Sequence, residues 1–207
     1  QGQILNQGLP VQDAVKDDLY RLLRAASQCN NARLLPPADS AESWTVLGDP
    51  TEAALRVAAL KGGLDLETEA QHMPRLRELP FDSRRKRMST IHQNLAPTSD
   101  SAGQVVYVKG APRETLALCT QFWRDGRPVP LTDETRAQIM AANDNYAREG
   151  LRVLAVAART LIDRVTNLSE YTPDTVENEL TFLGLTAMMD PPRTEVAEAV
   201  AKCHRAG

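Results

Sequence analysis

Three strand-forming runs, 76–81, 88–94 and 105–108, follow one another with little chain between them. Each alternates in polarity or is rich in β-formers. Parallel neighbours need a crossover of a dozen or more residues, whereas a turn or short loop joins antiparallel ones. The gap between the first two runs is a short turn. The polar stretch 97–103 between the second and third reads as a hairpin loop. The expected fold is therefore α+β: a mainly antiparallel, twisted sheet flanked by helices, not a doubly wound fold.

Helices punctuate this pattern. In 11–29, Val15, Leu19, Leu22, Leu23 and Ala26 recur at spacings of three and four, which predicts an amphipathic helix broken by Pro36-Pro37. Residues 43–47 read as a short strand. Gly48-Asp49-Pro50-Thr51-Glu52 then predicts a helix start, with Asp49 as N-cap, Pro50 at N1 and Glu52 at N3, as in a capping box. Gly62-Gly63 stops that helix. Pro112 is expected to open a helix through about Cys119, and Thr132 to cap another that ends at Gly150. Apolar strands follow at 151–157 and 180–189, separated by a polar stretch with turn signals at Asn167 and Pro173. Asp190-Pro191-Pro192 then precedes an amphipathic helix over 193–205.

Composition narrows the function. The chain has 207 residues, 25% charged, with a formal net charge of -3. That balance argues against nucleic acid as a partner, which calls for a basic excess. Cys29, Cys119 and Cys203 lack Cys-x-x-Cys spacing and read as reduced thiols. His72, His92 and His204 lack metal-ligand spacing, so no metal site is expected on them. No run of about 18 apolar residues occurs, and the first residues do not form a signal peptide, so the chain is expected to be soluble. The glycine-rich phosphate cradles GxGxxG and GxxxxGK[ST] are absent.

Several segments carry possible chemistry, each beside a plainer reading. Phe81 follows Pro80 at a strand end; it is either a core ring or a face on which a flat base stacks. Arg84, Arg85, Lys86 and Arg87 form a basic run, either a solvated face or an anion contact. If the run is a strand, Arg84 and Lys86 share one side, and Arg85 and Arg87 the other. Lys109-Gly110-Ala111 sets a compact cation beside a residue that permits close backbone approach. Asp49-Pro50-Thr51-Glu52 is fully explained as a helix cap, yet Glu52 could instead accept from the exocyclic amine of a base. Arg152, beside a buried run, needs an anion, either a phosphate or a carboxylate.

The ordered set Gly48-Asp-Pro-Thr51-Glu52, Phe81-Asp-Ser-Arg-Arg85-Lys86-Arg-Met88, Lys109-Gly110-Ala-Pro112, Gly150-Leu-Arg152 and Asp190-Pro-Pro-Arg193 resembles the nucleotide-binding domain of the P-type ATPases of calcium-, sodium/potassium- and magnesium-pump type. The resemblance covers nearly the whole chain. It implies that Phe81 stacks on adenine, and that Glu52 and Lys86 help hold the base and its ribose-phosphate arm. It further implies that Lys109 and Gly110 line the pocket floor, that Arg152 reaches the phosphates, and that Thr51 and Met88 support them. The ligand implied is ATP or ADP, with Mg²⁺ in the intact pump. Residues 1–189 would form the nucleotide domain, and 190–207 the hinge and start of a phosphorylation domain. Phosphorylation and actuator domains and membrane helices would be the partners in a parent protein, with this chain, monomeric on its own, on the cytoplasmic face.

The sequence also departs from the family pattern. Asp-Lys-Thr-Gly-Thr, which carries the phosphorylated aspartate, is absent, as are the Thr-Gly-Glu and Thr-Gly-Asp motifs. The chain is therefore expected to bind nucleotide without turning it over, and no catalytic residue is assigned. The His-Pro pair of heavy-metal pumps is also missing. Arg113 stands where many relatives carry Glu, outside the pocket residues. Two other readings compete: a stand-alone adenine-nucleotide sensor, and an interaction module built on the Arg84–Arg87 run.

Overall fold

The computed structural model describes residues 2–37, 44–95, 103–161, 167–190 and 194–206. A small hairpin of β1 (Leu5–Asn6) and β2 (Leu9–Pro10) leads into α1 (Asp13–Gln28). The strands β3 (Arg33–Leu35) and β4 (Thr45–Leu47) pair beside α2 (Pro50–Lys61) and α3 (Leu66–His72). Then come β5 (Arg75–Asp82), β6 (Arg87–Gln93), β7 (Gln104–Gly110), α4 (Pro112–Leu116), β8 (Cys119–Arg124) and β9 (Arg127–Pro130). The chain continues through α5 (Asp133–Arg148), β10 (Arg152–Leu161), α6 (Pro173–Val176), β11 (Leu180–Met188) and α7 (Thr194–Ala206).

Seven strands form one sheet in the order β5-β6-β7-β10-β11-β8-β9. Every pairing in it is antiparallel except β8 with β11. With helices on both faces, this is the expected α+β class. Alternation along the strands separates two cores. Val106 and Val108 of β7 join Ile91, Ala155 and Ala157 on one face, under α4 and α5. Tyr107 joins Met88 and Val156 on the other, under Ala25, Ala26 and Cys29 of α1 and Leu55 of α2. Burial of the Cys29 and Cys119 thiols pushes them up to about 11 and about 12, so both stay protonated at neutral pH.

The helix signals act as their chemistry requires. Asp49 accepts from the Glu52 amide at 3.1 Å, and Thr132 accepts from Thr135 at 3.2 Å. Gly150 closes α5 with φ +77°, a conformation that suits glycine. The second half of the expected capping box does not form, because the Glu52 carboxylate is engaged elsewhere.

Three expectations need correction. The helix from Pro112 stops at Leu116, and Cys119–Arg124 is a strand, drawn into the sheet by its parallel pairing with β11. β8 continues into β9 through Asp125-Gly126, both at positive φ, the geometry of a tight hairpin turn. The basic run is a turn over residues 83–86 rather than a strand, so the alternation of Arg84 to Arg87 does not apply. The Asp82 carboxylate makes that turn by accepting from the Arg84 and Arg85 amides at 3.0 and 2.8 Å. β5, β6 and β7 pair in sequence order as expected, although the loop between β6 and β7 at 96–102 lies outside the described residues. So do Ser43 of the expected 43–47 strand, 162–166 of the polar stretch, and 191–193 of the Asp-Pro-Pro-Arg segment.

His92 on β6 is fully buried. Its Nδ1–H donates to the Met73 carbonyl at 2.8 Å, and its Nε2 accepts from the Thr90 hydroxyl at 2.9 Å, which fixes a neutral tautomer. Burial lowers its pKa from 6.5 to about 4. Between those values the unfolded chain binds a proton that the folded chain refuses. Stability from this group is thus complete above pH 6.5 and falls as pH drops towards 4, by about 3 kcal/mol in all. Urea unfolding at pH 7.5, 6 and 5 should show a smaller acid-side loss in His92→Gln than in the parent; equal losses would remove His92 from the account.

Candidate functional site

A cleft of about 860 Å³ opens on the α1–α2 face of the sheet. Its walls come from the first turn of α2, the end of β5, the turn into β6, the end of β7 and the start of β10. Thr51, Glu52, Phe81, Lys86, Met88, Lys109, Gly110 and Arg152 all line it. Five separate stretches of chain therefore meet at one place.

Phe81 is 64% exposed. The core reading of this ring is overturned. It stands at the cleft wall with a free face, because the register of β5 against β6 shifts between Leu79 and Asp82. An uncovered aromatic face beside an apolar floor suits a flat, weakly polar ring.

The floor is ionic as well as apolar. Lys109 is only 6% exposed, and its Nζ donates to Glu52 Oε1 at 2.6 Å. The other Glu52 oxygen accepts from the Asn31 amide at 2.8 Å, and the Glu52 carbonyl accepts from Asn30 Nδ2 at 2.8 Å. Glu52 therefore joins the end of β7 to the segment after α1. Each carboxylate oxygen still has a lone pair for another donor. Buried Met88 lies directly across from Lys109 in the β6–β7 register.

Gly110 is explained by neighbouring chain rather than by an unusual dihedral. A Cβ there would stand 2.4 Å from Arg87 Cβ and 2.5 Å from the Lys86 carbonyl oxygen. Only glycine lets β7 lie this close to the turn, and the Ala111 amide then donates to the Lys86 carbonyl at 2.9 Å.

Two cations sit at the rim. Lys86 has φ +54° and donates from Nζ to Glu114 Oε1 at 2.6 Å, a bond that holds the Glu114 carboxyl below the usual carboxylate range. Arg152 is exposed and donates to Thr51 Oγ1 at 2.7 Å. The expectation that Arg152 needs an anion is therefore corrected: its guanidinium lies in solvent, not in the buried run.

Sequence reasoning assigned no role to Asn31, Glu78 or Arg75. Asn31 Nδ2 donates to Glu78 Oε1 at 2.8 Å. Arg75 Nη1 donates to Asn31 Oδ1 at 2.6 Å and to Glu78 Oε2 at 3.0 Å. Arg75 Nη2 also reaches the Gln28 and Asn30 carbonyls at the end of α1. Only the contact of Arg75 with Glu78, three residues on, is local; the rest is tertiary and leaves no sequence signal.

A second cleft, of about 910 Å³, lies beside Trp123, Arg159 and Tyr171. Its size is not matched by its chemistry. Arg159, the only Lys or Arg on its wall, is committed to Asn178 and Glu179, and none of the sequence motifs reaches it. Among the described residues, no group of three or more His, Cys, Asp or Glu side chains could hold a metal ion.

Comparison with known proteins converges on the first cleft. The family model of the P-type ATPase cytoplasmic domain N matches residues 18–195. Calcium-transporting ATPase 1 of Lactococcus lactis is 36% identical over 196 residues, which cover 94% of this chain and 20% of that protein. Cation-transporting ATPase pma1 of Synechocystis is 35% identical over 195 residues, 94% of this chain and 20% of that protein. The sodium/potassium exporting P-type ATPase cta3 of Schizosaccharomyces pombe is 37% identical over 194 residues, 92% and 17%. The chain thus spans about a fifth of the length of these relatives.

The buried Lys109–Glu52 pair makes a sharp stability prediction. Removing one partner of such a pair strands the other, whereas neutral replacements of similar shape leave nothing uncompensated. Glu52→Ala should cost about 3 kcal/mol in urea unfolding, while the double change Glu52→Gln, Lys109→Met should stay within about 1 kcal/mol of the parent.

Proposed function

Because this chain belongs to the P-type ATPase family, whose cytoplasmic domain N it matches, we propose that its first cleft binds ATP or ADP by the adenosine end. There it holds the nucleotide for phosphoryl transfer to an aspartate outside this chain. The observation that carries this reading is the convergence of all eight residues, drawn from five stretches of sequence, on one cleft.

In this role Phe81 stacks on adenine. Glu52, anchored by Lys109 and the Asn31 amide, offers its remaining lone pairs to the exocyclic amine. Lys109 acts through Glu52 and closes the floor, since its own charge is already neutralised. Met88 fills the floor below the base, and Gly110 keeps the Lys86 turn against β7. Lys86 and Arg152 stand at the rim on mobile stems, where the ribose-phosphate arm would pass, and Thr51 orients Arg152. Transfer would then depend on positioning the γ-phosphate against its acceptor. Magnesium, implied for the intact pump, has no donor set among the described residues and takes no part in binding the adenosine end.

The same reading places a domain boundary near residue 190. All described side chains of α7 from residue 195 to 205 are exposed, as expected of a helix that belongs to the next domain. No helix among the described residues is long and apolar enough to cross a membrane, so ion passage falls to other parts of a parent pump. Relatives named for calcium transport and for sodium/potassium export match this chain at 36% and 37% identity, which assigns ion choice to those parts too.

Calorimetric titration with ATP, with and without Mg²⁺, tests the proposal. The parent should bind saturably. Phe81→Ala, which removes an exposed ring, should leave the melting temperature unchanged and weaken binding about 5- to 150-fold, the range for loss of one base–aromatic stack. No binding by the parent up to several millimolar, or full binding by the variant, would refute the site.

A further inference from the structure

Glu177 lies directly after α6, on the sheet face opposite the cleft, and its side chain has no solvent exposure. It does not line the cleft. Its carboxylate accepts from the Arg85 guanidinium, from Arg87 Nε at 2.7 Å and from Ser89 Oγ at 2.9 Å. Three directional donors on one buried carboxylate make a rigid clamp.

The clamp grips the chain on both sides of Lys86. Arg85 and Arg87 are its sequence neighbours, and Lys86 itself sits in the left-handed region with φ +54°, an unfavourable place for a residue with a Cβ. Such a backbone persists only when its surroundings over-determine it. Two bonds hold it on the near side: the Lys86 amide donates to the Asp82 carbonyl at 2.7 Å, and its carbonyl accepts from Ala111. Glu177 supplies the hold from behind the sheet.

We propose that Glu177 is a positioning residue for the cleft. It acts through Arg85 and Arg87 to fix the turn that delivers Lys86 to the rim and that abuts Gly110. This rests on the reading of the cleft as a nucleotide site. A clamp that merely tied α6 to the sheet would stabilise the whole domain without bearing on Lys86.

The test combines residue-resolved amide hydrogen exchange with ATP titration of the full chain, for Glu177→Gln, Lys86→Ala and the double variant. Glu177→Gln should speed exchange of the Lys86 and Ala111 amides at least tenfold while amides of α5 are unchanged. It should weaken ATP binding at least fivefold in the parent background, and less than twofold when Lys86 is already alanine. Arg85→Gln, at a partly exposed side chain, should give the same local change in exchange and stands in if Glu177→Gln does not fold. Exchange that rises evenly through the sheet, or does not change at Lys86 and Ala111, overturns the proposal. So does an equal loss of ATP binding in both backgrounds. If the parent itself binds no ATP, the nucleotide reading fails and takes the binding half of the proposal with it; the exchange data then decide alone whether Glu177 fixes the turn.

Discussion

A buried ammonium cannot stay unpaired, and at the end of β7 that requirement fixes where α2 must sit. Alternation sends Val106 and Val108 to one core and Tyr107 and Lys109 to the other. Tyr107 is covered by α1. Lys109, two residues on, reaches past that apolar cover and meets Glu52 in the first turn of α2. Desolvating the lysine is tolerable only with that carboxylate in place. The same carboxylate takes the Asn31 amide, so one acidic side chain registers the sheet, the start of α2 and the segment after α1. Asp49 sets the helix start that delivers it.

The second constraint is the contact between β7 and the turn into β6. Gly110 has no Cβ because Arg87 and the Lys86 carbonyl occupy that space. Asp82 shapes the turn from the β5 side, Ala111 ties it to β7, and Glu177 grips it from the far face. Phe81 and Lys86 thus flank a turn held from three directions, although both side chains are themselves free to meet a ligand. A rigid backbone under exposed functional groups is what a binding site needs, since ordering is then largely complete before the ligand arrives.

Much of this was legible because it rests on local chemistry. Asp49 with Pro50, Thr132 with Asp133, and Gly150 mark helix ends through caps and dihedrals that short sequence encodes. The runs in β6, β7 and β10 announce themselves through β-branched residues. What the residues alone left open was decided by distance. The Glu52 side chain could have capped its own helix, and it turned instead to a lysine far along the chain. β8 has apolar residues after a helix start at Pro112, and only its pairing with β11, some sixty residues on, makes it a strand; the Asp125-Gly126 pair was the local signal for the hairpin that follows it. The seven-residue helix α3 is too short to be stable alone. Glu69 pins it by accepting from Tyr20 and Arg24 of α1. The Arg84–Arg87 run looks like one basic feature, yet Arg85 and Arg87 turn to a buried carboxylate and Lys86 to the cleft.

The state of each cation bears on how the proposed site would divide its work. Lys109 is neutralised by Glu52, and Lys86 rests on Glu114. Arg152 alone meets a neutral partner, the Thr51 hydroxyl, and it is exposed. A phosphate chain would therefore displace an existing ion pair or bind a solvated guanidinium, and exposed charge pairs of that kind add little. The uncovered Phe81 face and the apolar floor carry no such competition. Selectivity in this chain would then come from the base, and the reacting end of the nucleotide would be left weakly held. That division suits a domain whose acceptor lies elsewhere, because tight binding of the phosphates here would have to be undone before transfer.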